Sequence, residues 1–549
     1  MAFATNRNQQ ITINDRYNNM TDREKKMLEN SWAKAFAENI FPAINEERFS
    51  VLYSDNAATR PNTPVNIIIG SSIIKEIQDL TDDEVMASLM FDVRMQYALH
   101  TTSYAEQPLS DRTLSRFRER LYEYEIETGK DLMKEEILSL SGEIAKLMKL
   151  KPHMKRMDSL MIASACKDMM RLDVVYTTVA NLVKATHRAH GDELLAGLEN
   201  YLKDDDKNRV IYHNKAEERA TKIQSILEDG ALLIKRLGEA GEELPEYVLA
   251  KRMLNDQSIE DEQGNVIAKS NHDIAPSSLQ NPSDPDATYR KKAEEHHTGY
   301  VANVVETFDE SGNSVITDYS FEQNRHSDSE FCKEAINNIA RTGETTPEEK
   351  VVLIGDGAFA SKTNSELAEA NNVILVTTAL AGPPPPDVFA DFNIDEEAKQ
   401  VISCPAGHAP IRQGLNHATD TYRIVMEKEH CINCPNKANC NAKMQAKSAV
   451  VNVSTNKVNR ARVNNNSAIT PEKHAHYRNL RNAVEGIPSV LRRVYDVDEM
   501  PVYGKMKSKL FFGFKIAAIN VKKFASHLKE ISGNILHEIS CPQVECAQM

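Results

Sequence analysis

Two apolar runs, VVLIGDG from Val351 and VILVTTALAG from Val373, bracket the polar, helix-forming stretch SKTNSELAEANN. Short apolar runs bounded by turn formers mark strands buried on both faces, an environment that a sheet covered by helices supplies. The strand–helix–strand order therefore constrains the chain to an α/β architecture. Upstream, GYVANVVETFDESGNSVITDYSF (299–321) holds two β-rich runs around DESGN, with Gly312 at the turn position that tolerates positive φ, and predicts a hairpin. HMKRMDSLMIAS (153–164) predicts one more strand, and SDSEFCKEAINNIART a helix. A hairpin followed by crossover strands makes a sheet of mixed direction.

Asp356 ends the first apolar run, at the edge where open α/β sheets place their ligands. The alternative is an Asp-Gly turn, or an aspartate capping the next helix. Asp158 lies on the 153–164 strand. Glu485 lies on the helix PEKHAHYRNLRNAVEGIPSVLRRVY, which Thr470 caps and Pro471 opens. Carboxylates distant in sequence and convergent in space suit hard divalent cations, and two such ions can drive phosphodiester chemistry. That chemistry also needs basic groups for the phosphates. Arg478, Arg481 and Glu485, spaced by three and four, share a helix face; Arg492 extends it unless Gly486 and Pro488 end the helix first. For Glu485 the alternative is a surface salt bridge to Arg481. Leu480, Val484, Ile487 and Leu491 form a neighbouring apolar stripe that packs on the sheet. Asp284 and Asp286 read as turn formers, and Ser327-Asp328 as a helix cap beside His326, with a place in the site as the alternative for each.

MDSLMIAS, IGDGAF and the spacing of Arg478, Arg481, Glu485 and Arg492 resemble the three motifs of DDE insertion-sequence transposases. The likeness runs in order from about 85 to 530. It departs at Arg478, where many relatives have tyrosine (here Tyr477), at Val301, where lysine is common, and at Ser159-Leu160, where many have threonine. The resemblance implies a ribonuclease-H-like core, with Asp158, Asp356 and Glu485 binding two Mg²⁺ (or Mn²⁺) ions for DNA strand cleavage and strand transfer. It implies double-stranded DNA as partner, both element ends and target, and a homodimer. The rivals are a transposase-derived DNA-binding protein that no longer cuts, and a two-metal nuclease without strand transfer.

Residues 1–150 read as a helical N-terminal domain. In QPLSDRTLSRFRERLYEYEIETGKDL, Arg112, Arg116, Arg118 and Arg120 stud a helix whose Leu114, Phe117 and Leu121 form an apolar stripe. A short helix, a turn and a basic helix fit a helix-turn-helix DNA reader, or else a helical bundle with a solvated basic face. Residues 151–383 read as the first part of the catalytic core, carrying an acidic helical insertion at about 167–262. Within it, 191–262 holds 18 acidic against 10 basic residues. Residues 471–549 read as the last part of the core with a basic C-terminus; 441–549 reverses the balance, with 17 basic against 8 acidic residues. The net charge of −14 is thus polarised, compatible with one basic working face.

Residues 384–470 read as an irregular insertion with little apolar core. Its Cys404, Cys431, Cys434 and Cys440 have spacing that can close a structural zinc site, with His408 as an alternative ligand; the alternative is reduced thiols in a loop. Lys428, Lys437, Lys443 and Lys447 lie around it as candidate phosphate contacts or a solvated surface. Cys541 and Cys546 carry no assignment. No run of 18 apolar residues and no signal-peptide core is present, so a cytoplasmic protein is expected, with no membrane partner.

Overall fold

The computed structural model describes residues 1–532 apart from 7–14, 55, 57, 105, 213–214, 293–294, 379–384, 396–397, 418–419 and 468–469. Cys541 and Cys546 lie outside the described residues.

The predicted strands form one mixed sheet: β1 (Met154–Ala163), β2 (Glu295–Phe308), β3 (Ser314–Gln323), β4 (Val351–Asp356) and β5 (Val373–Thr378), in the order β3–β2–β1–β4–β5. Pairs β3–β2 and β2–β1 are antiparallel, whereas β1–β4 and β4–β5 are parallel. A short strand, Thr288–Lys292, pairs with the start of β2. The hairpin loop between β2 and β3 turns at Gly312, φ 92°.

Side-chain alternation assigns two faces. On one, Met157, Val301, Val305, Val351 and Leu353 pack against Phe331, Ala335, Ile336 and Ile339 of helix Asp328–Thr342. On the other, Leu160, Ile162, Tyr300, Ala302 and Val304 join a large cluster with the N-terminal helices and the C-terminal helix. Val352 and Ile354 meet Tyr477 and Leu480 on that same side.

The N-terminal helices share this core. Helices α1 (Thr113–Thr128) and α2 (Leu132–Leu147) pack beside the long C-terminal helix, Lys505–Ser532, whose Phe511, Phe512, Phe514 and Phe524 are buried. Buried Asn520 fixes that helix to β3: its amide donates to the Ile316 carbonyl (2.8 Å) and its oxygen accepts from the Ile316 N–H (2.9 Å). The acidic insertion builds its own core from helices Arg171–His190, Ala216–Leu237 and Pro245–Gln257.

The second insertion departs from the sequence expectation. It is an antiparallel sheet of β6 (Arg412–Asn416), β7 (Thr421–Glu427) and β8 (Ser448–Ser454), edged by Lys443–Met444. Its core includes Phe389, Phe392, Tyr422, Ile424, Met426, Val451 and Val453. Strand TYRIVME alternates inward and outward residues, and SAVVNVS buries Ala449, Val450, Val451 and Val453, so the two bury a face without any long apolar run. The chain leaves this sheet through α3 (Thr455–Ser467), then α4 (Pro471–Asn482) and α5 (Gly486–Val494). The expected single helix is interrupted by a 3₁₀ turn at Ala483–Glu485, immediately before Gly486 and Pro488.

Candidate active site

β1 and β4 pair from Met154–Val352 to Arg156–Ile354. Two residues further in that register stand Asp158 and Asp356, where the ladder has ended and the two parallel strands part. By alternation Asp158 lies on the face of Leu160 and Ile162, and Asp356 on the face of Val352 and Ile354. Both aspartates therefore face the side covered by α4 and α5. Val484, Ile487 and Leu491 are buried on that side, as the apolar stripe requires.

A buried ion-pair network seats α4. Arg156 bonds Glu306 (2.6 Å) and donates to the Leu480 carbonyl (2.8 Å), and Lys523 of the C-terminal helix also pairs with Glu306. Burial alone would raise the Glu306 carboxyl, but Lys523 and Arg156 outweigh it and hold it below the usual range.

The residue after Leu480, Arg481, is 2% exposed and reaches both acids, 3.8 Å from Asp158 and 3.2 Å from Glu485. The Glu485–Arg481 pair considered from the sequence therefore exists, and it ties Glu485 to Asp158. The Asp158 side chain is 16% exposed. Burial drives its carboxyl up to about 6; Arg481 opposes this, and the negative charges of Asp356 and Glu485 add to it. Asp158 thus senses both other carboxylates, and it shares the Arg481 guanidinium with Glu485. Asp356 also caps: one carboxylate oxygen accepts from the Ala358 N–H (2.6 Å), so the bland reading of the Asp-Gly turn holds as well.

The other expected phosphate ligands differ in setting. Arg478 is exposed on α4. Arg492 bonds Asp498 (3.1 Å) and the Met161 carbonyl (2.6 Å), latching α5 to the end of β1. Arg112, at the N-cap of α1, and Arg116 on it are exposed, Arg118 pairs with Asp82 and lies over the Phe511 ring, and Arg120 stacks 4.8 Å from the Tyr53 ring centre.

The competing acids lie elsewhere. Buried Asp284 accepts from Tyr300, Ser164 and the Gly504 N–H, and Asp286 accepts from the Lys505 N–H (3.0 Å), so the pair anchors the start of the C-terminal helix. Ser327 caps helix Asp328–Thr342 with Glu330, and His326 sits 3.0 Å from Glu334. Asp328 accepts from Ser159 (2.7 Å) on the face opposite Asp158.

Sequence reasoning passed over α3. Arg460 is 9% exposed and packs against the Asp356–Gly357 turn: a Cβ on Gly357 would lie 2.8 Å from its Cδ. Asn456, one turn earlier, donates to the Gly357 carbonyl (2.6 Å). Neither Nε nor Nη2 of Arg460 has a hydrogen-bond partner, and the same holds for Nε of Arg481. The only sequence signal was the four-residue spacing of Asn456 and Arg460.

Cys404, Cys431, Cys434 and Cys440 line one small cavity of about 20 Å³ together with His408 and His430, whose rings stack at 3.9 Å. Burial first, then the three neighbouring thiols, pushes Cys431 up. Among the described residues, no three His, Cys, Asp or Glu side chains are already drawn into metal-binding geometry. The donor types fit nonetheless: all-oxygen at the aspartates suits a hard cation, and all-thiolate at the cysteines suits zinc.

Two family models match. The transposase DDE domain matches residues 403–525, and a second transposase domain, of the DUF772 type, matches residues 24–120. Both matches support a likeness to insertion-sequence DDE transposases. The DDE match spans the cysteine-bearing sheet, Arg460, Glu485 and most of the C-terminal helix; the other spans α1 up to Arg120. No curated protein and no solved structure matches. Transposases of this kind act on DNA and typically use a divalent metal ion, and no described helix is long and apolar enough to cross a membrane.

Proposed function

We propose that this transposase cuts the ends of its element and joins them to target DNA, with Asp158, Asp356 and Glu485 as its catalytic carboxylates. The observation that carries the reading is the placement of Asp158 and Asp356 in one register where two parallel strands part, with Glu485 tied to Asp158 through Arg481. The strand order β3–β2–β1–β4–β5, antiparallel only at β2, supports a ribonuclease-H-like core.

Divalent cations, Mg²⁺ or Mn²⁺, would supply activation of the attacking hydroxyl and charge neutralisation at the phosphodiester. Asp158, Asp356 and Glu485 would hold them, and a carboxyl near 6 leaves Asp158 mostly ionised at neutral pH. Arg481 pairs with Asp158 and Glu485, and its unpartnered Nε leaves a donor for a phosphate oxygen. Water attacks first and frees a 3′-hydroxyl, which then attacks target DNA. Exposed Arg112 and Arg116 on α1, and Arg478 on α4, supply contacts to duplex phosphates, and the working form is a homodimer. Arg118 and Arg120 position α1 through Asp82 and Tyr53.

Cys404, Cys431, Cys434 and Cys440 would hold a structural zinc that clamps the β6–β8 sheet. Their convergence on one ion-sized cavity supports this, as does the lack of an open ligand position in a four-thiolate site.

The test is incubation of the protein with Mg²⁺ and duplexes carrying the ends that flank its gene, plus a supercoiled target. Nicked ends together with end–target joints, both abolished by Asp356→Asn, support the reading. Hydrolysis without joints makes the protein a nuclease; binding without cutting makes it a DNA-binding derivative.

A further inference from the structure

We propose that Arg460 is a phosphate-binding residue of the carboxylate site, delivered by the cysteine-bearing insertion, and that it takes a non-bridging oxygen of the DNA strand beside Asp356. This inference rests on the proposed DNA substrate.

A guanidinium has five N–H donors, and burying one with donors unmade is costly. Arg460 is more than nine-tenths buried, and its Nε and Nη2 are unpartnered. Arg460 senses the negative charge of Asp356, yet its Nε and Nη2 make no hydrogen bond to that carboxylate, one oxygen of which accepts from the Ala358 N–H. The arginine is held in place from below: Asn456 on the same helix bonds the Gly357 carbonyl, and glycine at 357 admits the Arg460 stem. Across the site Arg481, also buried, keeps its own Nε unmade beside Asp158. Two buried arginines with unmade donors therefore flank two aspartates. Cations bind acids and leave these donors to an anion; a phosphodiester, with planar-fork complementarity to guanidinium, is the anion that a DNA strand brings.

The placement also gives the insertion a task. Helix α3 follows β8 directly, so the sheet that the cysteines brace is joined to the helix that carries Arg460 to the Asp356 turn.

The experiment measures affinity of the full chain for an end-bearing duplex in EDTA, across a KCl series, for wild type, Arg460→Gln, Arg460→Lys and Asp356→Asn. Arg460→Gln is expected to weaken binding roughly tenfold and to flatten the slope of log K against log[salt] by about 0.9, the value for one lost phosphate contact. Arg460→Lys is expected to retain the slope, and Asp356→Asn to bind at least as well as wild type. A purely structural arginine would lower the melting temperature and leave the slope at its wild-type value; that result overturns the inference, as does an unchanged affinity in Arg460→Gln. If wild type binds and cuts the ends while Arg460→Gln keeps the full slope, this inference alone fails. If wild type neither binds nor cuts, the transposase reading fails and takes the inference with it.

Discussion

Replacing Asp158 with asparagine should stabilise the metal-free protein. Burial, Asp356 and Glu485 together lift this carboxyl from 3.8 to about 6, net of the opposing pull of Arg481. A shift of roughly two units is worth roughly 3 kcal/mol. With the side chain 16% exposed, solvent screening removes little of it. A carboxyl raised in the folded state is stabilising when protonated, fully so below 3.8, and that contribution is lost as pH rises through about 6. Asparagine imitates the protonated form at every pH. The gain of Asp158→Asn should therefore be about 3 kcal/mol at pH 8, about 1.5 kcal/mol near pH 5 and little at pH 4. Thermal unfolding in EDTA at several pH values measures this. Adding Mg²⁺ should then raise the melting temperature of wild type and leave the variant unmoved, by mass action on the folded state. A variant less stable than wild type at pH 8, or a gain independent of pH, refutes the account of Asp158 as a carboxylate held ionised at a cost to stability.

Other substitutions test other parts of the structure. Gly299 has φ 150° and pairs with Ala163, where an added Cβ would stand 2.3 Å from the Ile162 carbonyl; Gly299→Ala should cost on the order of 3 kcal/mol, read as a lowered melting temperature or loss of soluble protein. Metal analysis of the purified chain should find about one zinc per chain, lost in Cys434→Ser together with protection of 403–454 from protease; zinc content indifferent to that substitution would rule the site out. Arg492→Ala should cost about 1–2 kcal/mol by releasing Asp498 and the Met161 carbonyl, with no change in the salt dependence of DNA binding. Arg478→Ala, at an exposed position, should do the reverse: unchanged melting and a salt slope flatter by about 0.9.

The strands of the mixed sheet were legible because VVLIG and VILVTT are apolar on both faces, and the hairpin because DESGN marks its turn. Asp158, Asp356 and Glu485 stood out as candidate carboxylates from their strand and helix contexts, and the resemblance grouped them as a trio. Register, which sets Asp158 beside Asp356, is a property of two segments almost 200 positions apart and has no local signal. The cysteine insertion was misjudged because β7 buries alternate residues, its polar half hiding the apolar half, and the apolar run of β8, Ala449–Val451, is only three residues long. Helix periodicity placed the α1 arginines on a surface but could not reveal that Asp82 and Phe511 engage Arg118. The kink at Gly486 was foreseeable from Gly-x-Pro chemistry, yet its effect on Arg492, a latch to β1, depends on the tertiary path of α5. Arg460 was invisible because nothing in NKVNRARV distinguishes a solvated arginine from one folded under the Asp356 turn.

The central claim is that Asp158, Asp356 and Glu485 act as one site on DNA. The measurement closest to it is single-turnover cleavage of an end-bearing duplex with Mn²⁺ by wild type, Asp158→Asn, Asp356→Asn and Glu485→Gln, each matched for DNA binding. The account predicts cleavage at the element ends by wild type and a loss of about a thousandfold or more in every variant, with end binding intact. Cleavage at wild-type rate by any one of the three variants would contradict it.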